Sequence, residues 1–300
     1  MKKWGIAAAL VFLLTSVIIG CGANNEEIQS GFMPLVESKA TPDSIRTATE
    51  YIDRNIGKTD QQAGSLILIA YEDYLLKYLN TDADWTAIET LYPYWDSDSK
   101  TLDADKIKTD EAKNLYSGLT EAGFKFISRE GTVEPIIDYG LLNDKYGRHT
   151  TEALQELYAI KTMESSLPMA EDAALMISWE ELAMRAYSVE QYIKTFGEDP
   201  MTIEDARFLY GNYINAMMLG MNNTPIFDYE TDQFSEDAKA AYERFVREHP
   251  KSTTAWMLRE YMSYIASIDY RMDYSDQSQS KAFLETCSWL VSETGKKAME

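Results

Sequence analysis

Residues 64–79 read GSLILIAYEDYLLKYL, and this stretch decides the fold. It follows Thr59 and Asp60, two residue types that commonly cap the start of a helix. In a helix drawn through the stretch, apolar side chains lie on nearly every side, and a helix of that kind is buried. We therefore expect this helix at the centre of the domain.

The segments on both sides of this stretch also carry helical signals. Thr41 and Pro42 suit the N-cap and first turn of one helix, and Gly57 suits its end. Ser235 starts another helix, whose apolar residues recur at helical spacing. No segment alternates as the strands of a hairpin do. The sequence predicts an all-α fold of roughly nine to eleven helices, arranged as an irregular helical-hairpin bundle or solenoid.

Glycine and proline divide the middle of the chain. A helix that starts at Thr109 is expected to continue to about Ser128, and Gly131 follows as a breaker. Pro135 then introduces a short separate segment. Further on, the loop at residues 222–234 is the best boundary between a larger helical unit (41–221) and a smaller one (235–300). The two units are alternatively one continuous domain.

The first residues have the pattern of an export signal. Two lysines are followed by WGIAAALVFLLTSVIIG, an uncharged run that is shorter than a membrane span requires. Ile18, Ile19, Gly20 and Cys21 then resemble the lipobox of bacterial lipoproteins. That resemblance implies cleavage before Cys21 and lipid on its thiol. An ordinary secretory signal with an incidental cysteine is the alternative.

This resemblance assigns a location to the chain. Residues 1–20 are the signal peptide, and residues 21–40 carry the lipid and a flexible tether rich in small and polar residues. A diacylglyceryl group supplies two acyl chains, which is what stable attachment needs. The resemblance therefore implies a protein at the outer face of the cell membrane, whose membrane partner is the lipid on Cys21.

Two stretches resemble tetratricopeptide-type helical hairpins. AYERFVREHPKSTTAWMLREYMSYI (241–265) has small and aromatic residues in its first half and proline at its turn. EQYIKTFGEDPMTIEDARFLYGNYI (190–214) echoes it with three extra residues before the proline. Since the spacing drifts between them, the resemblance implies irregular helical hairpins.

The charge of the chain limits its partners. With 28 Lys and Arg against 49 Asp and Glu, the net charge is −21. Such a chain is repelled by nucleic acid, so a nucleic-acid partner is not expected. The negative charge keeps the domain soluble and can attract a basic partner.

Residues that commonly carry chemistry are few. His149 and His249 have no second histidine or cysteine nearby, so no zinc spacing occurs. Cys287 lies on an apolar stripe and is expected to be a buried, inert thiol. The acidic loop 96–107 lacks the glycine and glutamate of a calcium-binding EF-hand loop. We predict no cofactor, no metal and no catalytic residue.

Two glutamates are the best candidates for the alternative of an enzyme. A helix is expected from Pro168 to about Phe196, with Glu180 and Glu181 in its middle. A carboxylate buried there would have a raised pKa and could act as a general acid, as in glycoside hydrolysis. The competing expectation is that these glutamates face solvent or pair with Arg185.

Aromatic side chains are the remaining lead. Tyr92, Tyr94 and Trp95 lie in the turn-rich sequence YPYWDSDSK and form the expected exposed cluster for a ligand. We predict a membrane-anchored lipoprotein with a non-catalytic binding or scaffolding domain for a protein, peptide or glycan. The alternatives are a solute-binding receptor for a transporter and an all-α hydrolase that uses carboxylates near Glu180.

Overall fold

The computed structural model describes residues 22–129 and 131–300. In this part of the chain, twelve α-helices and four two-stranded antiparallel hairpins make up the regular structure, which confirms the all-α fold. The helices are α1 Gly22–Glu37, α2 Pro42–Asn55, α3 Gln61–Lys77, α4 Trp85–Glu89, α5 Asp110–Glu121, α6 Tyr139–Tyr146, α7 Glu152–Ser166, α8 Trp179–Phe196, α9 Ile203–Leu219, α10 Glu236–Glu248, α11 Thr253–Ser267 and α12 Gln277–Ala298. The hairpin strands are β1 Trp95–Asp96 with β2 Thr101–Leu102, β3 Phe124–Arg129 with β4 Thr132–Ile137, β5 Ala170–Glu171 with β6 Ala174–Leu175, and β7 Gly220–Met221 with β8 Thr224–Pro225.

The helix α3 takes the central place that its composition predicts. Leu68, Tyr71 and Leu75 are fully buried, and the Tyr71 hydroxyl donates to the carbonyl oxygen of Ala122 at 2.6 Å. A strip of α3 that includes Leu66 stays exposed, so the burial is not complete. Apolar residues on most of its circumference place α3 between α1 and α2 and the elements that follow it.

A close approach explains the glycine in the first turn of α3, Gly64. A Cβ on Gly64 would lie 2.0 Å from the carbonyl oxygen of His149. The side chain of the next residue, Ser65, is buried and accepts from the backbone N–H of Thr151 at 2.9 Å. The start of α7 is therefore held against the first turn of α3, and only glycine fits at the contact.

The apolar interior consists of two clusters that meet on α7. Leu154 and Tyr158 of α7 belong to the first cluster, which includes residues from α1 to α7. Leu157 and Ile160 of the same helix belong to the second cluster, which continues to α12. The loop at 222–234, where sequence places a unit boundary, contributes Phe227 to the second cluster. The two clusters therefore meet on α7, and the unit boundary at 222–234 stays a prediction.

The hairpin of β3 and β4 replaces the helix that was expected to continue to Ser128. α5 ends at Glu121, and Phe124 and Phe126 then alternate with less buried residues. Gly131 has a φ of +78° at the turn, which glycine adopts without strain. Pro135 is tolerated because every strand of a two-stranded hairpin is an edge strand. The expectation of no strands was therefore wrong here.

The helix expected to start at Pro168 was also placed too early. The hairpin of β5 and β6 occupies part of that region, and α8 begins at Trp179. Ser178 is its N-cap and accepts from the N–H of Glu181 at 3.1 Å. The side-chain cap and the buried Trp179 fix the start of the helix.

The segment expected to be a flexible tether contains α1. Ile28 and Phe32 on α1 are buried in the first cluster. Asn24 donates to the carbonyl oxygen of Lys58 at 2.8 Å, and Asn25 donates to the carboxylate of Asp60. The polar residues that suggested a tether are used to fasten α1 to the turn before α3.

The two tetratricopeptide-like stretches form helical hairpins. α8 and α9 make one pair and α10 and α11 the other, and α8 packs against α10 as well as α9. The likeness of these stretches to tetratricopeptide hairpins stays a resemblance. None of the helices in the described residues combines the length and apolar character that crossing a bilayer needs.

Candidate functional site

The aromatic cluster expected to bind a ligand is divided between surface and core. Tyr92 is exposed in a short 3-10 turn. Tyr94 and Trp95 are half-buried and pack against the first apolar cluster. Two of the three rings therefore contribute to packing, and their role in ligand binding stays a prediction.

The glutamates near Trp179 lie in the first turn of α8. Glu180 and Glu181 are not mid-helix, as the sequence indicated, but where carboxylates favour the positive end of the helix dipole. Glu180 pairs at the surface with Arg244, at 2.7 Å. Glu181 accepts from Nε of Arg185 at 2.9 Å, the pairing expected from their spacing.

Arg185 is the centre of a largely buried ionic group. Its guanidinium also pairs with Glu164 and donates to the carbonyl oxygen of Leu167 at 2.7 Å. The Tyr213 hydroxyl donates to the same Glu164 oxygen, at 2.6 Å. These contacts tie α7, α8 and α9 together.

A second ionic group joins α3, α7 and α9, and it was not predicted from the sequence. Glu72 of α3 accepts from the hydroxyls of Tyr139 and Tyr158, each at 2.8 Å, and from Nζ of Lys161 at 2.6 Å. The Lys161 ammonium pairs also with Asp205 of α9. Burial alone would lower the pKa of Lys161, but Glu72 and Asp205 outweigh it and raise the pKa. The amine therefore stays protonated and is not a nucleophile.

A third ionic group contains the buried carboxylate of Glu190, which caps α11. Glu190 accepts from the backbone N–H of Thr253 and of Thr254, each at 2.8 Å, and from the Thr254 hydroxyl. Burial would raise its pKa, but the bonds from Lys194, Thr254 and Thr253 hold the pKa below its ordinary value. This carboxylate binds a helix N-terminus of its own chain.

The surroundings of His149, His249 and Cys287 indicate structural roles for these side chains. His249 is the C-cap of α10, with its ring centroid 4.4 Å from that of Tyr187. Nε2 of His149 accepts from Arg148, and burial together with that charge lowers the pKa of His149. Burial raises the pKa of the Cys287 thiol to about 12, so the thiol is protonated at neutral pH.

Carboxylates of the acidic loop 96–107 bond to groups within the same loop. Asp96 accepts from the N–H of Asp98 and Ser99, and Asp103 pairs with Lys106 at 2.8 Å. In residues 22–129 and 131–300, no three histidines, cysteines, aspartates or glutamates are grouped so that they could hold a metal ion.

The most distinctive exposed surface lies at the start of α12. Tyr229 and Tyr274 are 62% and 48% exposed, and their ring centroids are 6.4 Å apart. Leu284 of α12 is 57% exposed and, with Tyr274, lines a depression of about 460 Å³. We call Tyr229, Tyr274 and Leu284 the tyrosine patch. Burial and the neighbouring Tyr229 and Asp232 raise the pKa of Tyr274, so its ring is neutral.

Two loops hold the tyrosine patch in place. The backbone N–H of Phe234 donates to the carbonyl oxygen of Tyr270, and the backbone N–H of Met272 donates to the carbonyl oxygen of Asp232, both at 2.9 Å. Behind the surface, the Tyr274 ring contacts that of Phe227, with centroids 6.5 Å apart. The exposed tyrosines are thus the outer end of an aromatic contact that begins in the core.

The sequence shows the composition of this surface but not its assembly. Residues 222–234 are recognisable as a loop, yet Tyr229 and Tyr274 are far apart in the chain. Only the pairing of the two loops brings their rings together. The sequence signal that was present is the concentration of acidic residues around both tyrosines.

A scan against models of known protein families found no match to this chain, and neither did searches of curated proteins and of solved structures. Cys21, the predicted lipidation site, lies outside the described residues.

Proposed function

We propose that this protein is a lipoprotein anchored at the outer face of the cell membrane, whose helical domain binds a protein, peptide or glycan without catalysis. The observation that carries the binding role is the tyrosine patch. Large aromatic side chains with polar tips are enriched at binding surfaces. Here they are held by paired loops, which lowers the entropy that binding would otherwise cost.

The buried ionic groups support a non-catalytic role. Lys161, Arg185 and Glu190 each satisfy their charge with partners from neighbouring helices. Groups bonded in this way stabilise the arrangement of the helices and are not poised for proton transfer. The ligand-accessible surface is instead aromatic.

The position of α1 bears on how the domain meets the membrane. Asn24, three residues after Cys21, is already bonded to the carbonyl oxygen of Lys58. Three residues span at most about 10 Å. A lipid on Cys21 would therefore hold the folded domain close to the bilayer and restrict the partners to those within reach of the membrane surface.

Two measurements in intact cells test the proposal. Cys21→Ser should move the protein from the membrane fraction to the soluble fraction, with Cys287→Ser as the matched control that stays in the membrane. Cross-linking followed by mass spectrometry should give one stoichiometric partner that depends on Cys21. Retention of Cys21→Ser in the membrane would contradict the anchor.

The catalytic alternative has its own test. Glu180→Gln, which removes the best enzyme candidate of the sequence, should leave partner capture unchanged. A hydrolytic activity that this substitution abolishes while the fold stays intact would overturn the non-catalytic role.

A further inference from the structure

The tyrosine patch lies in an unusually acidic part of an acidic chain. The two segments beside it, residues 228–237 and 269–276, contain eight aspartates and glutamates and one basic residue, Arg271. Arg271 is itself paired with Asp232, at 3.4 Å. A surface with this excess of negative charge attracts cations and repels anionic ligands.

The rings of the tyrosine patch also attract positive charge. The face of a tyrosine ring attracts a Lys or Arg cation that lies within about 6 Å of the ring centroid. The centroids of Tyr229 and Tyr274 are 6.4 Å apart and their planes are inclined by 47°, so one cation can lie within reach of both rings.

A tyrosine next to the patch, Tyr270, already has a cation over its ring within the protein. Nζ of Lys239 lies 4.1 Å from the ring centroid of Tyr270. Tyr270 belongs to the same loop as Tyr274, four residues earlier. The local surroundings therefore already hold a lysine over a tyrosine ring.

The depression next to Tyr274 adds an apolar component. The exposed Leu284 lines it together with Tyr274, Gln277, Lys281 and Glu285. A cation alone would leave this apolar surface uncovered. A ligand that covers both parts has a cationic side chain next to an apolar one.

We propose that the tyrosine patch docks a basic segment of a protein partner, with a Lys or Arg side chain over Tyr229 and Tyr274 and an apolar side chain against Leu284. This inference rests on the proposed binding function and names the chemistry of its partner. The rings and the surrounding carboxylates select the cation, and the depression selects the apolar neighbour. Since the anchor would keep the domain near the bilayer, the partner is one whose basic segment is exposed at that surface.

The test is a calorimetric titration of the protein purified from its own cells, in vesicles of zwitterionic phosphatidylcholine. The probe is the peptide acetyl-Arg-Leu-Arg-Leu-Arg-amide. Matched peptides have every Arg replaced by Glu or every Leu replaced by Ser, and empty vesicles give the baseline. We expect the Arg-Leu peptide to bind, the Glu peptide not to bind, and the Ser peptide to bind more weakly.

Variants of the patch locate the binding. The double variant Tyr229→Ala/Tyr274→Ala should weaken binding of the Arg-Leu peptide about tenfold, and Tyr229→Phe/Tyr274→Phe should retain it because the ring faces remain. Phe208→Ala, at an exposed aromatic side chain on α9, is the control and should have no effect. Leu284→Ser should remove the difference between the Leu and Ser peptides, and it tests the patch even if the double variant does not fold.

Several results would overturn the proposal. If binding persists in Tyr229→Ala/Tyr274→Ala, or falls equally in Phe208→Ala, the net charge of the chain alone attracts the peptide. Binding of the Glu peptide would exclude cation recognition. If maltotriose binds at the patch and displaces the peptide, the ligand is a glycan. If the peptide does not bind but a stoichiometric partner is still captured in cells, only the role of this surface is rejected. If no partner is captured in cells, the binding function itself is rejected.

Discussion

The helices α3 and α12 are both long, but their apolar side chains are used differently. α3 is covered on most of its sides, and its buried Glu72 is bonded to Tyr139, Tyr158 and Lys161. α12 buries one stripe, which includes Leu290, and leaves Leu284 exposed. The comparison teaches that similar residue types stabilise the fold at α3 and remain open to a ligand at α12.

The largest expected effect comes from breaking the ionic group on α3. Lys161→Met leaves the carboxylate of Glu72 buried without its cation, and loss of one partner of a buried pair costs about 3–5 kcal/mol. Chemical denaturation should show this decrease in the free energy of unfolding. Lys281→Met, which removes an exposed pair with Glu285 on α12, is the control and should change it by less than about 1 kcal/mol. Equal effects would remove the distinction between the two helices.

The second prediction concerns Glu190, the buried carboxylate between two helices of the second apolar cluster. Glu190→Gln weakens charge-assisted bonds to the start of α11 and should lower the free energy of unfolding by about 1.5–3 kcal/mol at pH 7.

The pH dependence of that loss follows from the pKa of Glu190. Bonds from Lys194 and from the Thr254 and Thr253 N–H groups overcome the effect of burial and lower its folded pKa below the ordinary value of 4.5. Its contribution is therefore complete above pH 4.5 and is lost as the pH falls through the folded pKa. The difference between wild type and Glu190→Gln should shrink below pH 4.5, and a difference that grows there would refute this assignment.

The third prediction compares a glycine on each helix. Gly64→Ala places a Cβ against the carbonyl oxygen of His149, and overpacking of this kind costs about 1–3 kcal/mol. Gly295→Ala on α12 meets nothing within 4 Å and should stabilise the helix by up to about 1 kcal/mol. Thermal unfolding of the two variants should therefore shift in opposite directions. A shift of the same sign would mean that α3 and the turn before α7 are not in such close contact.

The sequence predicted what depends on local pattern. The apolar circumference of α3 indicated its central place, and the apolar stripe through Cys287 and Leu290 indicated the buried face of α12. Leu284 has the spacing of the same stripe but is exposed. The hairpin of β3 and β4 was missed because the alternation at Phe124 and Phe126 is short and follows directly on a helical pattern.

The ionic groups and the tyrosine patch could not be predicted in this way. Glu72 meets Lys161 from 89 residues away, and the sequence contains many other possible carboxylate and lysine pairs. Tyr229 and Tyr274 lie on separate loops that the fold brings together. Such contacts depend on the packing of whole helices, which the spacing of residues along one helix does not determine.

The smallest expected effect concerns the exposed face of α12. Leu284→Ala removes a side chain that is 57% exposed and replaces it with the best helix former, so the free energy of unfolding should change by less than about 0.5 kcal/mol. Leu290→Ala, on the buried stripe of the same helix, should cost about 2–5 kcal/mol. Chemical denaturation of the two variants measures the contrast. A decrease of several kcal/mol in the free energy of unfolding of Leu284→Ala would show that this side chain supports the fold. The tyrosine patch would then not be a binding surface.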